Sequence, residues 1–173
     1  MTSLRAPFRH CPACAQPSRR DDPRLFLCEA CGFRYYHNVA AAVAAFIVHR
    51  DTLLLTRRAH APAAGALDLP GGFVDPHETL EAALRRELAE ELALDVSPAA
   101  PRYLFSLPNV YEYAGVTYAT ADSFYRIDCT TRPALTARDD VSEVLWVPVA
   151  ELEPGSMGLA SVRAAVARFK DSL

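Results

Sequence analysis

The sequence has no apolar segment long enough to cross a bilayer and no strong excess of one charge. Its longest apolar run, residues 39–48, falls well short of the roughly 20 residues of a membrane-spanning helix. The first seven residues contain no apolar core of a secretion signal, so a cytoplasmic protein without membrane association is expected. With 18 basic and 21 acidic residues, the net charge of -3 gives no general attraction to nucleic acid. A small-molecule substrate is therefore favoured over a polymer.

Internal repeats and low-complexity tracts are also absent, apart from a bias towards alanine. The 173 residues, 51% of them hydrophobic, suffice for one domain with a core and a short appendage. Apolar periodicity predicts alternating strands and helices, and therefore an α/β core. The predicted strands are 39–49, 52–56, 67–69, 118–129 and 144–147, and the predicted helices are 79–92 and 159–169.

The five cysteines are unevenly distributed. Cys11 and Cys14 form one C-x-x-C pair, and Cys28 and Cys31 form another after thirteen intervening residues. This spacing is typical of a four-cysteine zinc site, and without a secretion signal zinc is favoured over two disulfides. Too few apolar side chains lie between residues 5 and 32 for a core, so metal binding would supply the folding energy of this segment. Cys129 lies in an apolar stretch and is interpreted as a buried structural thiol.

A second set of metal-binding side chains follows a glycine-rich turn. Five residues separate Gly72 from Glu78, and seven more lead to residues 86–94, which read R-E-L-A-E-E-L-A-L. On a helix, residues three and four apart share a face, so Glu87, Glu90 and Glu91 present their carboxylates together. Crowded hard oxygen ligands are what Mg²⁺ or Mn²⁺ requires, and the metal would remove their mutual repulsion.

The ends of this predicted helix can also be read from the sequence. Leucines at positions 80, 84, 88 and 92 form an i, i+4 row that should bury one side of the helix. Thr79 can cap the first turn, and Arg86 lies four residues before Glu90, where it can hold a carboxylate. Ala93 stands where glycine would end the helix in a left-handed conformation, which alanine resists by roughly 1 kcal/mol. We therefore expect a slightly longer or differently ended helix.

Together these residues resemble the Nudix box, which reads G, five residues, E, seven residues, R-E-apolar-x-E-E-x-G-apolar; Ala93 is the one departure. Residues 8–36 resemble a zinc ribbon, and the whole arrangement is similar to that of NAD(H)/ADP-ribose pyrophosphatases of the Nudix family. The resemblance implies a Nudix-type α/β/α sandwich with a mixed sheet over residues 39–173, preceded by a small zinc ribbon within residues 1–38. It also implies a metal-dependent hydrolase that splits the diphosphate linkage of NADH, ADP-ribose or a similar nucleotide into two phosphate monoesters.

The resemblance further implies roles for single residues of the box. Glu87, Glu90 and Glu91 match the carboxylates that bind the divalent metal, with one of them able to act as base toward the attacking water. Glu78 and Arg86 match positions that orient those carboxylates. The predicted cofactors are therefore Mg²⁺ or Mn²⁺ at the box and a structural Zn²⁺ at the cysteines.

Residues outside this motif complete the predicted site. The carbonyl of Gly71 is a candidate additional metal ligand. Glu143, three residues before Trp146, matches the acid of an E-x-x-W pattern in pyridine-nucleotide pyrophosphatases of the family. Competing candidates for this outside acid are Glu112, Asp122 and Asp140. Arg57 and Arg58 end a predicted strand and are candidates to clamp phosphates bidentately, although paired arginines at such positions are also often only solvated.

The sequence leaves the substrate and the partners open. NAD(H) pyrophosphatases carry S-Q-P-W-P-F-P after the box, whereas this chain keeps only Ser106 and Pro108 of that motif. ADP-ribose or another nucleoside diphosphate linked to a small group fits equally well. Candidates to stack on a nucleotide ring are Tyr111, Tyr113, Tyr118 and Phe124, if these aromatics are not simply core.

Two alternatives concern other classes of function, and a third concerns the role of the ribbon. A catalytically silent nucleotide sensor is disfavoured because no carboxylate of the box is substituted. An RNA-directed cap hydrolase or binding module would use the locally basic ribbon, and nucleic-acid binding is unlikely without an overall basic charge. The ribbon is also a candidate scaffold or homodimer contact.

Overall fold

The structure, a computed structural model, describes residues 8–17, 22, 24–96 and 100–172. In these residues it contains a two-stranded hairpin, a seven-stranded sheet and two α-helices. The strands are β1 Leu25–Leu27, β2 Arg34–Tyr36, β3 Ala40–His49, β4 Thr52–Arg58, β5 Leu67–Asp68, β6 Gly71–Phe73, β7 Arg102–Tyr113, β8 Val116–Asp128 and β9 Val141–Pro148. The helices are α1 Leu80–Leu92 and α2 Ala160–Lys170, and short 3-10 turns span Val149–Glu151 and Pro154–Ser156.

The large sheet is mixed. Its strand order is β5-β4-β3-β8-β7, with β6 also pairing β3 and β9 also pairing β4. Strands β3 and β8 are parallel, whereas the other pairs are antiparallel. A parallel pair requires a long crossover between its strands, and α1 lies within that crossover.

Strand β3 is buried on both faces and forms the centre of the core. Because successive strand residues point to opposite faces, the odd-numbered residues from Val43 to Ile47 pack with α1. The even-numbered residues from Ala44 to Val48 pack with α2. The run of alanine, valine and isoleucine without polar alternation in this strand is thus explained by a helix on each face. The predicted α/β/α sandwich with a mixed sheet is confirmed.

Helix α1 begins and packs as the sequence indicates. Thr79 is its N-cap, with the side-chain Oγ1 accepting a hydrogen bond from the N–H of Ala82 at 3.2 Å. Leu84, Leu88 and Leu92 are fully buried, and Leu80 packs against the same cluster. The leucine row therefore fixes the rotation of the helix and, with it, the direction of the acidic side chains.

The carboxyl end of α1 differs from the prediction. Ala93 adopts the left-handed conformation, with φ 55° and ψ 30°, and its N–H donates to the Ala89 carbonyl at 3.0 Å. The following N–H, of Leu94, donates back to the Leu88 carbonyl at 3.1 Å, as in helices that end with glycine. The expectation of a longer or differently ended helix was therefore wrong. Leu94 is buried, so packing beyond the helix outweighs the cost of a left-handed alanine.

Strand β7 was missed by the sequence prediction. It contains Pro108, which argues against a central strand because proline cannot donate to a ladder. In the structure β7 is the last strand of the sheet order, so its outer side needs no donor at that position. The remaining predicted strands are present with ends that shift by a few residues.

Two further expectations concern the whole chain. No helix among the described residues is long and apolar enough to cross a membrane. The division into a ribbon over residues 1–38 and a catalytic domain over residues 39–173 remains a prediction.

Ala93→Gly should stabilise the protein by about 1 kcal/mol, because glycine removes the left-handed strain at the end of α1. The measurement is the urea midpoint of unfolding. Ala89→Gly is the matched control: Ala89 lies exposed within the same helix, where glycine should destabilise by about 1 kcal/mol. Equal effects of the two substitutions would contradict the prediction.

Candidate active site

A cavity of about 300 Å³ lies where the sheet opens between β3 and β4. Strand β3 pairs with β4 only at Val48 and His49, whereas its first half pairs with β6 on that side. The cavity is lined from β3 by residues 42–44 and from β4 by Thr56 and Arg58. Helix α1 contributes acidic side chains to one end, and α2 contributes Val162 to the other. Because of the opening in the sheet, a single cavity contacts both helices.

The acidic end of the cavity is formed by Glu87, Glu90 and Glu91 of α1. Glu91 is 6% exposed, and its Oε2 accepts a hydrogen bond from the N–H of Gly71 at 3.0 Å. Burial raises the pKa of Glu91 to about 8, although the hydrogen bond from Gly71 lowers it. The neighbouring carboxylates of Glu87, Asp68 and Asp140 add to the rise. Burial also raises the pKa of Glu87. A cation at this end would reverse both effects.

Arg86 joins the loop before α1 to the helix itself. Its Nε and Nη2 donate to the two carboxylate oxygens of Glu78 at 2.9 and 3.0 Å. Its Nη1 donates to Glu87 at 2.8 Å and to Glu90 at 3.1 Å, and Nη2 also donates to the carbonyl of Phe73. The hydrogen bond from Arg86 lowers the pKa of Glu78 and keeps it ionised. The predicted orienting pair is therefore brought together with two of the predicted metal ligands.

Both glycines of β6, which the sequence predicted as a turn, are required by their surroundings. Gly71 has φ 144°, and a Cβ at this position would lie 2.1 Å from the carbonyl oxygen of Val43. A Cβ on Gly72 would lie 2.5 Å from Oε1 of Glu87. Side chains at these positions would push β6 away from β3 or displace the Glu87 carboxylate. The absence of side chains therefore allows the backbone of β6 to approach α1 closely enough for the bond between Gly71 and Glu91.

Asp139 and Asp140 also line the cavity. Their loop is tied to the end of α1, because the N–H of Arg138 donates to the Glu91 carbonyl at 2.9 Å. It is tied to β4 as well, since the N–H of Ala59 donates to the Asp140 carbonyl at 2.8 Å. These bonds hold the backbone that carries two further carboxylates close enough to Glu87 and Glu91 to interact with their charges.

Glu143 and Arg57 lie apart from the cavity lining. They are directly paired across β9 and β4, and Arg57 Nε donates to Glu143 Oε2 at 2.7 Å. Arg57 Nη1 donates to the carbonyl of Gly65. Of the predicted acids outside the box, Asp122 and Asp140 line the cavity and Glu143 does not; of the two arginines, Arg58 lines it and Arg57 does not. Glu112, a further candidate acid, is exposed on β7 outside the lining.

Arg58 lies inside the cavity in a fixed orientation. Its Nη1 donates to Asp68 Oδ2 at 2.8 Å, its Nη2 to the Tyr111 hydroxyl at 3.2 Å, and its Nε to the carbonyl of Pro62 at 2.7 Å. Burial lowers the pKa of Arg58, but the hydrogen bonds and charges of Asp68 and Tyr111 together raise it above its ordinary value, so the guanidinium stays charged. Three of its five N–H groups are used, and two remain for a ligand.

The residues at the acidic end match a hard divalent cation in the chemistry of their donor atoms, although among the described residues only the four cysteines have ligand atoms already gathered around one point. The donor atoms at the acidic end are carboxylate oxygens, and the backbone of Gly71 lies against the Glu91 carboxylate. The raised pKa of buried Glu91 shows that negative charge is unfavourable there without a compensating cation. In the described residues the carboxylates of Glu87 and Glu90 share Arg86 as their counterion.

The four predicted zinc ligands form a separate, compact cluster. Sγ of Cys11 lies 3.7 Å from Sγ of Cys31, and Sγ of Cys14 lies 3.6 Å from Sγ of Cys28. All four sulfur atoms lie within 4.8 Å of one another. A tetrahedron with zinc–sulfur bonds of about 2.3 Å has edges of roughly 3.8 Å, so these thiols fit one zinc ion.

Both cysteine pairs have the same backbone geometry. The carbonyl of Cys11 accepts a hydrogen bond from the N–H of Ala15 at 2.8 Å, and that of Cys28 accepts from Gly32 at 2.9 Å. Ala15 and Gly32 both have positive φ, 59° and 76°. Backbone N–H groups lower the pKa of Cys28 to about 7, which favours the thiolate that a metal requires, whereas the pKa values of Cys14 and Cys31 are raised by burial and neighbouring thiols against their backbone bonds.

Comparison with known proteins identifies the family. A family model described as NUDIX domain matches residues 38–167. The chain therefore belongs to the Nudix hydrolase family, and the predicted class of enzyme is confirmed at that level. The structure is similar to that of a NUDIX hydrolase from Nitrosomonas europaea, with a TM-score of 0.65, 19% identity, and coverage of 95% of this chain and 92% of the other. That similarity supports the fold.

Other relatives carry more specific names. The chain is 33% identical over 146 residues to the "NAD-capped RNA hydrolase NudC" of Deinococcus radiodurans, covering 82% of this chain and 49% of the relative. It is 42% identical over 62 residues to the "ADP-ribose pyrophosphatase" of Methanocaldococcus jannaschii, covering 36% of this chain and 37% of the relative. The chain thus spans half or less of the length of both curated relatives. The NUDIX domain of Shewanella oneidensis NrtR, solved in complex with ADP ribose, superimposes with a TM-score of 0.63 at 25% identity, over 79% of this chain and 90% of the other.

Several cavity residues escaped the sequence analysis. Asp68 and Asp139 were not considered, and neither were Asn109 and Thr120 on the paired strands β7 and β8. Of the four aromatic candidates, Tyr111 and Phe124 line the cavity, whereas Tyr113 and Tyr118 are exposed outside it. The one available signal was Asp68 itself, an acid within an apolar stretch directly before the glycine-rich turn.

Gly72→Ala should weaken Mn²⁺ binding on the order of tenfold, because the added methyl group displaces the Glu87 carboxylate. The measurement is Mn²⁺ titration followed by electron paramagnetic resonance. Gly155→Ala is the matched control, since a Cβ there meets nothing within 4 Å. Unchanged Mn²⁺ affinity in Gly72→Ala would exclude Glu87 as a metal ligand.

Cys28→Ser should lose the zinc that we expect at about one ion per chain, because three thiols no longer complete the tetrahedron. Zinc content is measured by inductively coupled plasma mass spectrometry. Cys129→Ser removes a cysteine outside the cluster and should keep the full content. Equal zinc in both variants would overturn the assignment.

Proposed function

We propose that this protein hydrolyses the diphosphate linkage of a small nucleotide derivative, of the NADH or ADP-ribose type, with Mg²⁺ or Mn²⁺ as cofactor. The observation that carries the proposal is the row Glu87, Glu90 and Glu91 on one helix, facing a cavity that also holds Arg58. A cation-binding group and a phosphate-binding group are thereby combined in one space. Membership of the Nudix family and the names of the two curated relatives support the same reaction.

Glu87, Glu90 and Glu91 would hold the divalent ion, together with the carbonyl of Gly71. The ion, when bound, supplies neutralisation of charge on the phosphate oxygens and activation of the attacking water. Arg86 positions Glu87 and Glu90 through its hydrogen bonds and is itself fixed by Glu78. These residues therefore need little rearrangement when substrate enters.

Glu90 is the best-placed acceptor for the proton of the attacking water. Its side chain is 50% exposed, and only Oε2 contacts Arg86. Glu91, in contrast, is buried and accepts the bond from Gly71. The water oxygen forms a bond to one phosphorus, the bond from that phosphorus to the bridging oxygen breaks, and the second phosphate leaves with that oxygen. The water proton passes to Glu90, and two phosphate monoesters result.

Arg58 would bind the phosphates through its two remaining N–H groups. Its three bonds to Asp68, Tyr111 and Pro62 fix the guanidinium before substrate arrives. A preset orientation lowers the entropy cost of binding compared with a solvated arginine. Asp139 or Asp140 would supply the additional acid, because both line the cavity opposite α1.

The ribbon would serve mainly as a zinc-stabilised structural module, and as a candidate contact in a homodimer.

A second candidate function is hydrolysis of a nucleotide cap on RNA, with the ribbon binding the RNA strand that follows the cap. Exposed Tyr35 and Tyr36 beside Arg34 favour it, because aromatic and basic side chains together bind single-stranded nucleic acid. The name of the Deinococcus radiodurans relative points to such a substrate. Salt-sensitive RNA binding that is lost in Tyr36→Ala would favour this function.

Glu90→Gln should lower kcat about a hundredfold or more, because the proton acceptor and a metal ligand are lost together. The measurement is release of phosphate monoesters from NADH, NAD⁺, ADP-ribose, diadenosine polyphosphates and nucleoside triphosphates, each with Mg²⁺ or Mn²⁺. The preferred compound defines the substrate class.

Glu153→Gln, an exposed acid outside the cavity lining, is the matched control and should retain native rates. The comparison of Asp140→Asn with Glu143→Gln tests the additional acid, and the larger loss is expected for Asp140→Asn. No cleavage of any compound by folded, zinc-loaded native protein would leave the sensor or RNA-binding function instead.

A further inference from the structure

The cavity has a second polar end, formed by Asn109 of β7 and by Thr120 and Asp122 of β8. All three side chains are at least nine-tenths buried, with exposures of 9%, 3% and 7%. Asn109 is paired directly with Thr120 across the two strands. Because Thr120 and Asp122 are two residues apart on one strand, they share a face. None of these residues belongs to the acidic set on α1.

Asp122 is held in place by hydroxyl groups. Its Oδ1 accepts from Thr120 Oγ1 at 2.6 Å, and its Oδ2 accepts from Ser161 Oγ of α2. No salt bridge joins Asp122 to a basic side chain in the part of the chain that the structure describes. A carboxylate has about four acceptor positions, so two remain for a donor that enters the cavity.

Asn109 has an amide without a partner. Its side chain makes no hydrogen bond to the described residues, although it is nine-tenths buried and lines the cavity. Among the described residues, the one fully buried side-chain nitrogen or oxygen without a hydrogen-bond partner is Nε2 of His37, so the amide of Asn109 is accessible from the cavity. The amide is therefore available to a ligand that enters the cavity. An amide can complement a ring edge that carries both a donor and an acceptor.

We propose that Asn109 and Asp122 form a ring-recognition subsite for a planar heterocycle with an N–H₂ group, such as the aminopurine or the carboxamide-bearing ring of a dinucleotide. The N–H₂ group donates to the free positions of Asp122, and Asn109 bonds to the neighbouring edge. Leu159 and Val162 supply apolar contact for the ring, and Tyr111 supplies an aromatic one. The subsite rests on the proposed function only in that the phosphates of the same ligand would lie towards Arg58.

A purely structural role for Asp122 is the competing explanation. Ser161 lies in the first turn of α2, so Asp122 also fastens the start of that helix, where a negative charge is favourable. That role accounts for the two hydroxyl bonds. It does not account for the amide of Asn109 on β7, which lines the cavity and makes no hydrogen bond to the described residues. It also predicts no discrimination between rings.

The test is the binding of monophosphates by the full chain, measured by calorimetry without hydrolysis. The first probe pair is AMP and purine riboside 5′-monophosphate, which differ only in the amino group. The second pair is nicotinamide mononucleotide and nicotinic acid mononucleotide, in which the carboxamide is replaced by an anion. Ribose 5-phosphate serves as the probe without a ring.

The native protein should bind the N–H₂ member of at least one pair about tenfold or more tightly than its partner, because the bond is to a charged acceptor. Preference within the first pair assigns the subsite to the aminopurine, and preference within the second assigns it to the carboxamide ring. Asn109→Ala should reduce the preference to within about twofold while keeping the thermal midpoint. Asp122→Asn should do the same, with the midpoint measured in parallel.

Ser106→Ala is the matched control, because Ser106 lies exposed on the same strand and outside the cavity. It should bind as the native protein does. Equal affinity for both members of both pairs would overturn the proposal, as would an unchanged preference in Asn109→Ala and Asp122→Asn. Ring discrimination without hydrolysis would leave the subsite standing and remove the proposed reaction. Hydrolysis without discrimination would do the reverse.

Discussion

The acidic end of the cavity depends on the hydrogen bonds that the Arg86 guanidinium donates. It contacts Glu78 in the loop and both Glu87 and Glu90 on α1, so it joins two segments of like charge. Without a cation between them, these carboxylates would repel one another and move into solvent. The same guanidinium also holds the Phe73 carbonyl of β6. One side chain thereby fixes the helix, the loop and a strand in a single arrangement that a divalent ion can enter.

The second constraint is the opening between β3 and β4. A continuous ladder there would close the sheet and separate α1 from α2. Instead β6 takes the position beside the first half of β3, and it can do so only because Gly71 and Gly72 lack side chains. The cavity therefore reaches from the carboxylates of α1 to Val162 of α2. A ligand with two chemically different ends fits such a cavity.

What the sequence could predict was local in the chain. Helical spacing placed Glu87, Glu90 and Glu91 on one face, and C-x-x-C spacing gathered the four thiols. The features that it missed bring together distant positions, as when Asn109 meets Thr120 across two strands. Arg57 and Arg58 are adjacent in the sequence, and only the strand register of the folded protein determines which of them lines the cavity. At Ala93 a local preference of about 1 kcal/mol was outweighed by tertiary packing, which short-range rules do not contain.

The many alanines of β3 suggest no function in the sequence alone, yet two of them leave room for the cavity. Ala42 and Ala44 line the cavity, and each ends at a methyl group where most central strands carry a branched chain. Larger side chains at these positions would occupy part of the cavity between its two ends. A requirement for a cavity of a given size would thus act on the small residues of the strand rather than on the reactive ones. In this family member, small side chains on the central strand help to set the dimensions of the cavity.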